Sequence, residues 1–403
     1  MSRLAPGALW LLTPTAERRD GGWIDDVLAQ RVAERGLDAR LDQVGRFPRQ
    51  RVEVLRGDEP ERRVNELYYR RGWTDGLPVV PPTLGRVEAM LRQTARPATQ
   101  VIAPLEPLLG LATVEKVAAN AVMAGCLPAH SPVVLAAVEA IAEPEFNLRG
   151  VQTTDENVTP LVIVSGPLAA ALDINASFGA LGPGWRANAA IGRALRLVMH
   201  NIGGGWPAVV AFAGLGQPGR YTLCFAEDEA TNPWPSLREE LGFGAEESVV
   251  VVSRAETAIN VTGGLDDLAS VMGSAASAFS MLHDGKVTVV LAPFVAAELA
   301  KQGWDKAAAK QYLHDKGRMS AEAWRRTWLH QRLIEADRWP DWVLNAAEEG
   351  AIPAVAGPDD ITIVVAGGDI PIPQCAYFPS WGFPPARVAK RIEASADGLD
   401  DRS

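Results

Sequence analysis

Apolar positions along the chain fall into two rhythms. Near the start, Ala8 to Leu12 is a continuous apolar run that Thr13-Pro14-Thr15 breaks. Behind it Ile24, Val27, Leu28, Val32 and Leu37 recur at about helical spacing. The pattern predicts strand, turn and helix over residues 8–45. Residues 46–62 are polar and irregular and read as a linker. Prolines at 78, 81 and 82 then exclude a helix from Trp73 to Thr83 and favour an extended strap. Thr83 is placed to cap a helix whose core side uses Val87, Met90 and Leu91. From 113 to 142 the chain is rich in Ala, Val and Leu, and two helices fit, interrupted at Gly125-Cys126-Leu127-Pro128.

From residue 160 onward short apolar runs alternate with helical stretches. The predicted strands are Leu161–Val164, Ala208–Ala213, Tyr221–Phe225, Ser248–Val252, Val287–Leu291 and Ile361–Val365. Several are unbroken runs of β-branched residues, the pattern of strands buried on both faces. The fold class is therefore α/β, with a mixed or parallel sheet built from βα units. Residues 1–62 form a small N-terminal βα segment and linker, and 63–403 the main domain. The run from Val162 to Leu172 aligns without gaps to Val289–Leu299, and a Gly-Trp block follows each, at Gly184-Trp185 and Gly303-Trp304. This suggests an internal repeat near 160–205 and 287–317, with a degenerate third copy near 361–391. The acidic tail after Arg391 is expected to fray.

Composition narrows the function classes. The 403 residues are 47% apolar and 22% charged, an ordinary soluble balance. A net charge of −10 disfavours nucleic acid as a partner. No apolar run reaches the roughly 18 residues that span a bilayer. Three cysteines without metal-type pairing fit a reducing compartment, and cytoplasm is the expectation. No cofactor is identified. The five histidines show no His-x-His or His-Glu-x-x-His spacing, so no metal ligand set is assigned.

The candidate chemistry centres on Gly182-Pro183-Gly184-Trp185-Arg186-Ala187-Asn188, which runs into a helix carrying Arg186, Arg193 and Arg196. A glycine turn, a helix N-terminus and guanidinium groups suit a carboxylate or phosphate. Asn175 and Asn188 add amide groups. Surface arginines paired with carboxylates explain the same spacing equally well. The Gly-x-Gly-x-x-Gly of a dinucleotide fold is missing after every strand, and Gly203-Gly204-Gly205 lacks a Walker lysine. Cys126, at a helix boundary, is a candidate thiolate nucleophile with His130 as its base. A small core cysteine beside an unrelated histidine is the plain alternative. Glu227, at a strand end, is a candidate general acid or base. Asp75, held in the proline strap, is a candidate binding residue.

Three segments, Trp73–Thr83, Met123–Cys126 and Gly182–Asn188, resemble a bacterial family associated with UGSC-type (seleno)proteins. The resemblance covers about residues 65–390. It implies Asp75, Cys126, Trp185, Arg186 and Asn188 as site positions and a UGSC-type protein as partner. That family's Cys-Gly-Ser-Cys redox motif does not occur here, which puts a self-contained thiol-disulfide activity in doubt. The leading expectation is an enzyme acting on a small anionic metabolite, with carbon–sulfur lyase or transferase chemistry at Cys126. The others are a substrate-binding subunit for a UGSC-type partner, and a carboxylate- or metal-dependent hydrolase or hydratase. A homo-oligomer is expected.

Overall fold

The computed structural model describes residues 9–12, 52–55, 59–333, 338–384 and 386–393. In chain order the strands are β1 (Leu9–Leu12), β2 (Val52–Leu55), β3 (Val101–Leu105), β4 (Gly110–Thr113), β5 (Thr159–Ser165), β6 (Cys224–Ala226) and β7 (Val249–Ala255). They continue as β8 (Ile259–Thr262), β9 (Val287–Leu291), β10 (Arg318–Ser320), β11 (Ala351–Pro353), β12 (Ile361–Val365), β13 (Gln374–Phe378) and β14 (Arg387–Arg391). Helices of eight residues or more are α1 (Pro60–Arg71), α2 (Leu84–Leu91), α3 (Val114–Ala124), α4 (Ser131–Ala142), α5 (Arg186–Asn201), α6 (Leu265–Met272), α7 (Pro293–Lys301), α8 (Lys306–Lys316) and α9 (Asp341–Glu348).

Two four-stranded mixed sheets form the centre, in the orders β14-β7-β5-β6 and β8-β13-β9-β12. In the first, β5 is parallel to β6 and antiparallel to β7, which is antiparallel to β14. In the second, β9 is parallel to β12 and antiparallel to β13, which is antiparallel to β8. The two sheets thus share order and direction. Each also takes its fourth strand from the other half: β8 follows β7 in the chain but pairs with β13, and β14 follows β13 but pairs with β7.

The period of two along each strand explains the layers. Leu161, Ile163, Val249 and Val251 point one way and meet Val290, Val364, Ala376 and Phe378 of the other sheet. Val162, Val164, Val250 and Val252 point the other way, onto α3, α4 and α5. Val287, Val289, Ile361 and Ile363 face α6, α7 and α8. The result is helices, sheet, sheet, helices. Both faces of β5, β7, β9 and β12 are buried, so their sequences show apolar runs rather than alternation. A separate small core around Trp324, Trp339 and Ile352 joins α9 to the β10–β11 ribbon.

Several sequence expectations change. Ala208–Ala213 is no strand: the Val209, Val210 and Ala211 N–H groups all turn back onto the Trp206 carbonyl, and Ala208 has φ 60°. The strand expected from Tyr221 begins only at Cys224, after a 3-10 turn at Pro218–Arg220. The linker expected over 46–62 contains β2, which pairs with β1, and the start of α1. The run at 361–365, expected to open a third copy, is β12, hydrogen-bonded to β9 inside the second sheet. The segments aligned by sequence, 162–172 and 289–299, occupy matching places: each is a strand followed by a helix that begins at a proline, Pro167 or Pro293. The helix expected near 24–37 and the tail from residue 394 lie outside the described residues.

Phe225 is fully buried between the sheets. Phe225→Ala is expected to cost about 3–5 kcal/mol, read as a lower midpoint in urea unfolding with an unchanged slope.

Candidate functional site

Helix α5 organises the region that the sequence singled out. Gly192 lets it approach β6: a Cβ there would lie 2.4 Å from Thr222 Oγ1 and 2.8 Å from the Leu223 nitrogen. Residues 193, 196 and 200, three and four apart, then share one face of the helix. Arg193 reaches the proline strap, where its Nε and Nη2 donate to the two Asp75 oxygens at 2.7 and 2.9 Å. Nη2 also donates to the Pro78 carbonyl at 2.9 Å. The strap is thereby fastened to α5 by a bidentate, largely buried ion pair. Asp75 and Arg193, both expected to hold substrate, hold each other.

Arg196 reaches away from the strap, to the turn at 218–220. Its Nε donates to the Arg220 carbonyl at 2.8 Å, and Nη2 to Thr159 Oγ1 at 3.2 Å. His200, one turn on, lies with Nε2 2.9 Å from the Gly72 carbonyl and its ring 4.7 Å from that of Trp206. Gly72 has φ 68°, and a Cβ there would overlap the Trp206 indole. Glycine is needed at 72 on both counts.

These groups line a cavity of about 820 Å³ between the strap, α5 and the segment 205–221. Its lining includes Tyr69, Thr74, Asp75, Arg196, His200, Trp206, Gln217, Arg220 and Tyr221. The volume is that of a small-molecule site, with apolar walls and a few convergent polar groups. Burial pulls the Arg196 guanidinium down to about 9, and the neighbouring Arg220 adds to this while Asp75 opposes it. Arg220 is lowered in the same way by burial, with Glu256 opposing. Both remain cations at neutral pH. Among the described residues the Arg220 side chain has no hydrogen-bond or ion-pair partner. Among the described residues neither Arg196 nor Arg220 is in an ion pair: Asp75 is bound to Arg193, and Glu256 acts on Arg220 only from beyond ion-pair distance. Tyr69, Phe212, Leu215 and Tyr221 are exposed around this region, Leu215 to 96%.

The remaining expected residues lie elsewhere and are occupied. Asn188 Nδ2 donates to the Asn175 and Ala180 carbonyls, and its Oδ1 accepts from the Asn175 N–H at 2.8 Å. Asn175 in turn bonds Phe178 and Ser177. These amides shape the loop before α5. Trp185 is half-buried and Arg186 exposed at the helix start. The three arginines thus serve separate places, and the expected common anion clamp is not formed.

Cys126 is sealed in the core. Burial, with Cys224 adding, pushes its thiol far above the ordinary range, against a small opposing pull from Arg193. It is not a thiolate nucleophile in this structure. His130 is also buried, and its Nδ1 accepts from the Leu127 N–H at 3.3 Å. Burial lowers it to about 4, Arg186 adds to the fall, and Asp173 opposes it. The pair lacks both an ionised sulfur and a free base.

Glu227 is fully used. It accepts from Ser165 Oγ at 2.9 Å, the Leu237 N–H at 2.8 Å and Asn232 Nδ2 at 3.1 Å, with Lys306 Nζ 3.7 Å away. Burial raises its pKa, with Glu229 adding; Lys306 and the hydrogen bonds from Leu237 and Ser165 oppose the rise. Through Lys306, which also pairs with Glu240, it links the end of β6 to α8. This is a brace between the two halves, not an accessible proton carrier. Among the described residues no group of three or more His, Cys, Asp or Glu converges as metal ligands do.

Sequence reasoning missed His200, Trp206, Gln217 and Arg220. The signal for His200 was the continuation of the 193–196 spacing by one turn. Arg220 had none, because only the turn at 218–220 brings it back to α5. The chain matches no family model, and no curated protein matches it.

Two outcomes follow from this geometry. Asp75→Asn leaves Arg193 without its counter-charge and is expected to cost about 3 kcal/mol of stability, seen in denaturant unfolding. A thiol reagent such as DTNB is expected to label none of the three cysteines in the native protein and all three after unfolding; rapid native labelling of Cys126 would restore the thiol mechanism.

Proposed function

We propose that this chain binds a small anionic metabolite with an apolar body in the cavity between the strap and α5. The observation that carries the reading is the pair of arginines, Arg196 and Arg220, in the wall of a mainly apolar cavity, neither of them in an ion pair with a carboxylate among the described residues. A ligand carboxylate or phosphate supplies the missing charge. Trp206, Tyr69 and Tyr221 supply apolar surface for the rest. The carbon–sulfur chemistry expected at Cys126 forms no part of this reading, since the thiol is buried and un-ionised.

A second reading concerns what happens to the bound molecule. The resemblance to UGSC-type proteins, together with the missing redox motif, supports a subunit that presents its ligand to a separate redox partner. The exposed apolar residues Phe212 and Leu215 near the cavity favour it. It predicts that a co-expressed UGSC-type protein co-elutes with this chain, and that Leu215→Glu with Phe212→Ser releases it.

The ligand reading is tested by calorimetric titration with phenylacetate, phenyl phosphate and the neutral phenylacetamide. The anions are expected to bind and the amide to bind at least tenfold more weakly. Arg220→Met is expected to weaken anion binding by roughly 10- to 100-fold, the worth of one charge-assisted hydrogen bond. Equal binding of phenylacetate and phenylacetamide, or an Arg220→Met protein that binds as wild type, would contradict it.

A further inference from the structure

The walls of the cavity are built from flat groups. Among the described residues that line it, Tyr69, His200, Trp206 and Tyr221 carry planar rings, and Arg196 and Arg220 carry planar guanidinium groups. Leu215 is the one branched apolar side chain among them, and it stands 96% exposed. Trp206 is held on two sides. Gly72, the left-handed cap of α1, donates its N–H to the Tyr69 carbonyl at 3.0 Å. The benzo edge of the Trp206 indole occupies the space that a Cβ at position 72 would need. The His200 ring backs the indole at 4.7 Å, inclined to it by 38°. That imidazole is fixed in turn: a carbonyl only accepts, so Nε2 carries the proton and donates to the Gly72 carbonyl at 2.9 Å. Trp206 is half-buried and lines the cavity. A ring already held in place loses little freedom when a ligand packs on it.

We infer that the ligand of this cavity is a planar aromatic anion, its ring stacked on Trp206 and its carboxylate or phosphate on the arginines. The inference rests on the ligand reading above and narrows the apolar body to a flat one. An aromatic ring meets a flat wall over its whole face, whereas a saturated ring of the same size touches it only through its axial hydrogens. Ring-on-ring packing also contributes beyond the area it buries. The volume of about 820 Å³ exceeds that of a single phenyl ring, so a two-ring body is accommodated.

The test is calorimetric titration of the full chain with cyclohexylacetate, phenylacetate and 2-naphthylacetate. All three carry the same carboxylate on the same methylene group, so the contribution of the arginines is common to them. Cyclohexylacetate has more apolar surface than phenylacetate, and a wall that is merely apolar favours it. Stacking reverses that order: phenylacetate is expected to bind about fivefold more tightly than cyclohexylacetate, and 2-naphthylacetate about fivefold more tightly again. In Trp206→Leu all three are expected to bind with the aromatic advantage gone. Trp206→Phe, the milder change, is expected to keep the phenyl preference and lose most of the naphthyl gain. The wild-type order decides the ligand class whether or not either variant folds. Cyclohexylacetate binding as tightly as phenylacetate, while Arg220→Met still weakens both, overturns the aromatic class and leaves the ligand reading standing. An aromatic advantage that persists unchanged in the Trp206 variants overturns the role of Trp206. Failure of all three anions to bind removes both readings.

Discussion

The apolar contact between the two sheets is the constraint from which the rest of the molecule follows. Leu161, Ile163, Phe225, Val249 and Val251 on one side and Val290, Val364, Ala376 and Phe378 on the other exclude water from the inner faces. Period-two strands then turn a second apolar set outward, and that set must be covered by helices. Helices α3, α4 and α5 cover one sheet and α6, α7 and α8 the other. The exchange of β8 and β14 between the halves makes the sheets mutually dependent, since each lacks an edge without the other half of the chain. The Glu227–Lys306–Glu240 brace adds a polar tie at the strand ends. Its charges are buried but well partnered, which is the condition under which such groups are tolerated.

The candidate site is a consequence of how α5 lies on the first sheet. Its inner face is committed to the core, and its outer face carries Arg193, Arg196 and His200. Arg193 spends its charge on Asp75 and so fixes the rigid strap as one wall. Arg196 ties down the turn at 218–220 as the opposite wall. The space between them is left cationic and mainly apolar. In such surroundings a charge–charge interaction is stronger than in water, which is why two arginines without an ion-pair partner among the described residues are informative here and a surface pair would not be.

Much of the fold was legible in the residues. The β-branched runs at 287–291 and 361–365 became strands over those same residues, and the break at Gly125–Pro128 does separate two helices. The swap of fourth strands was not legible, because pairing partners are set by packing between distant segments and no local pattern records them. Ala208–Ala213 shows the limit of composition: an apolar run with strand propensity folds as a turn because a single carbonyl, that of Trp206, captures three successive N–H groups. At the site, the sequence pointed to Asp75 and Arg193 but not to their mutual pairing, which consumes both. Cys126 illustrates the same limit from the other side. Its position near a helix boundary suggested activation, yet the neighbouring apolar side chains decide its ionisation. Arg220 stands 24 residues beyond Arg196 with no periodic relation to it, and only the folded turn brings the two together.

The most direct measurement is a crystal structure of the protein soaked with 4-bromophenylacetate, with the bromine located by its anomalous scattering. The carboxylate is expected within hydrogen-bond distance of the Arg220 and Arg196 guanidinium groups, with the bromophenyl ring against Trp206. Bromine found outside this cavity, or a carboxylate turned to solvent with Arg220 untouched, would contradict the assignment of the cavity as an anion-binding site.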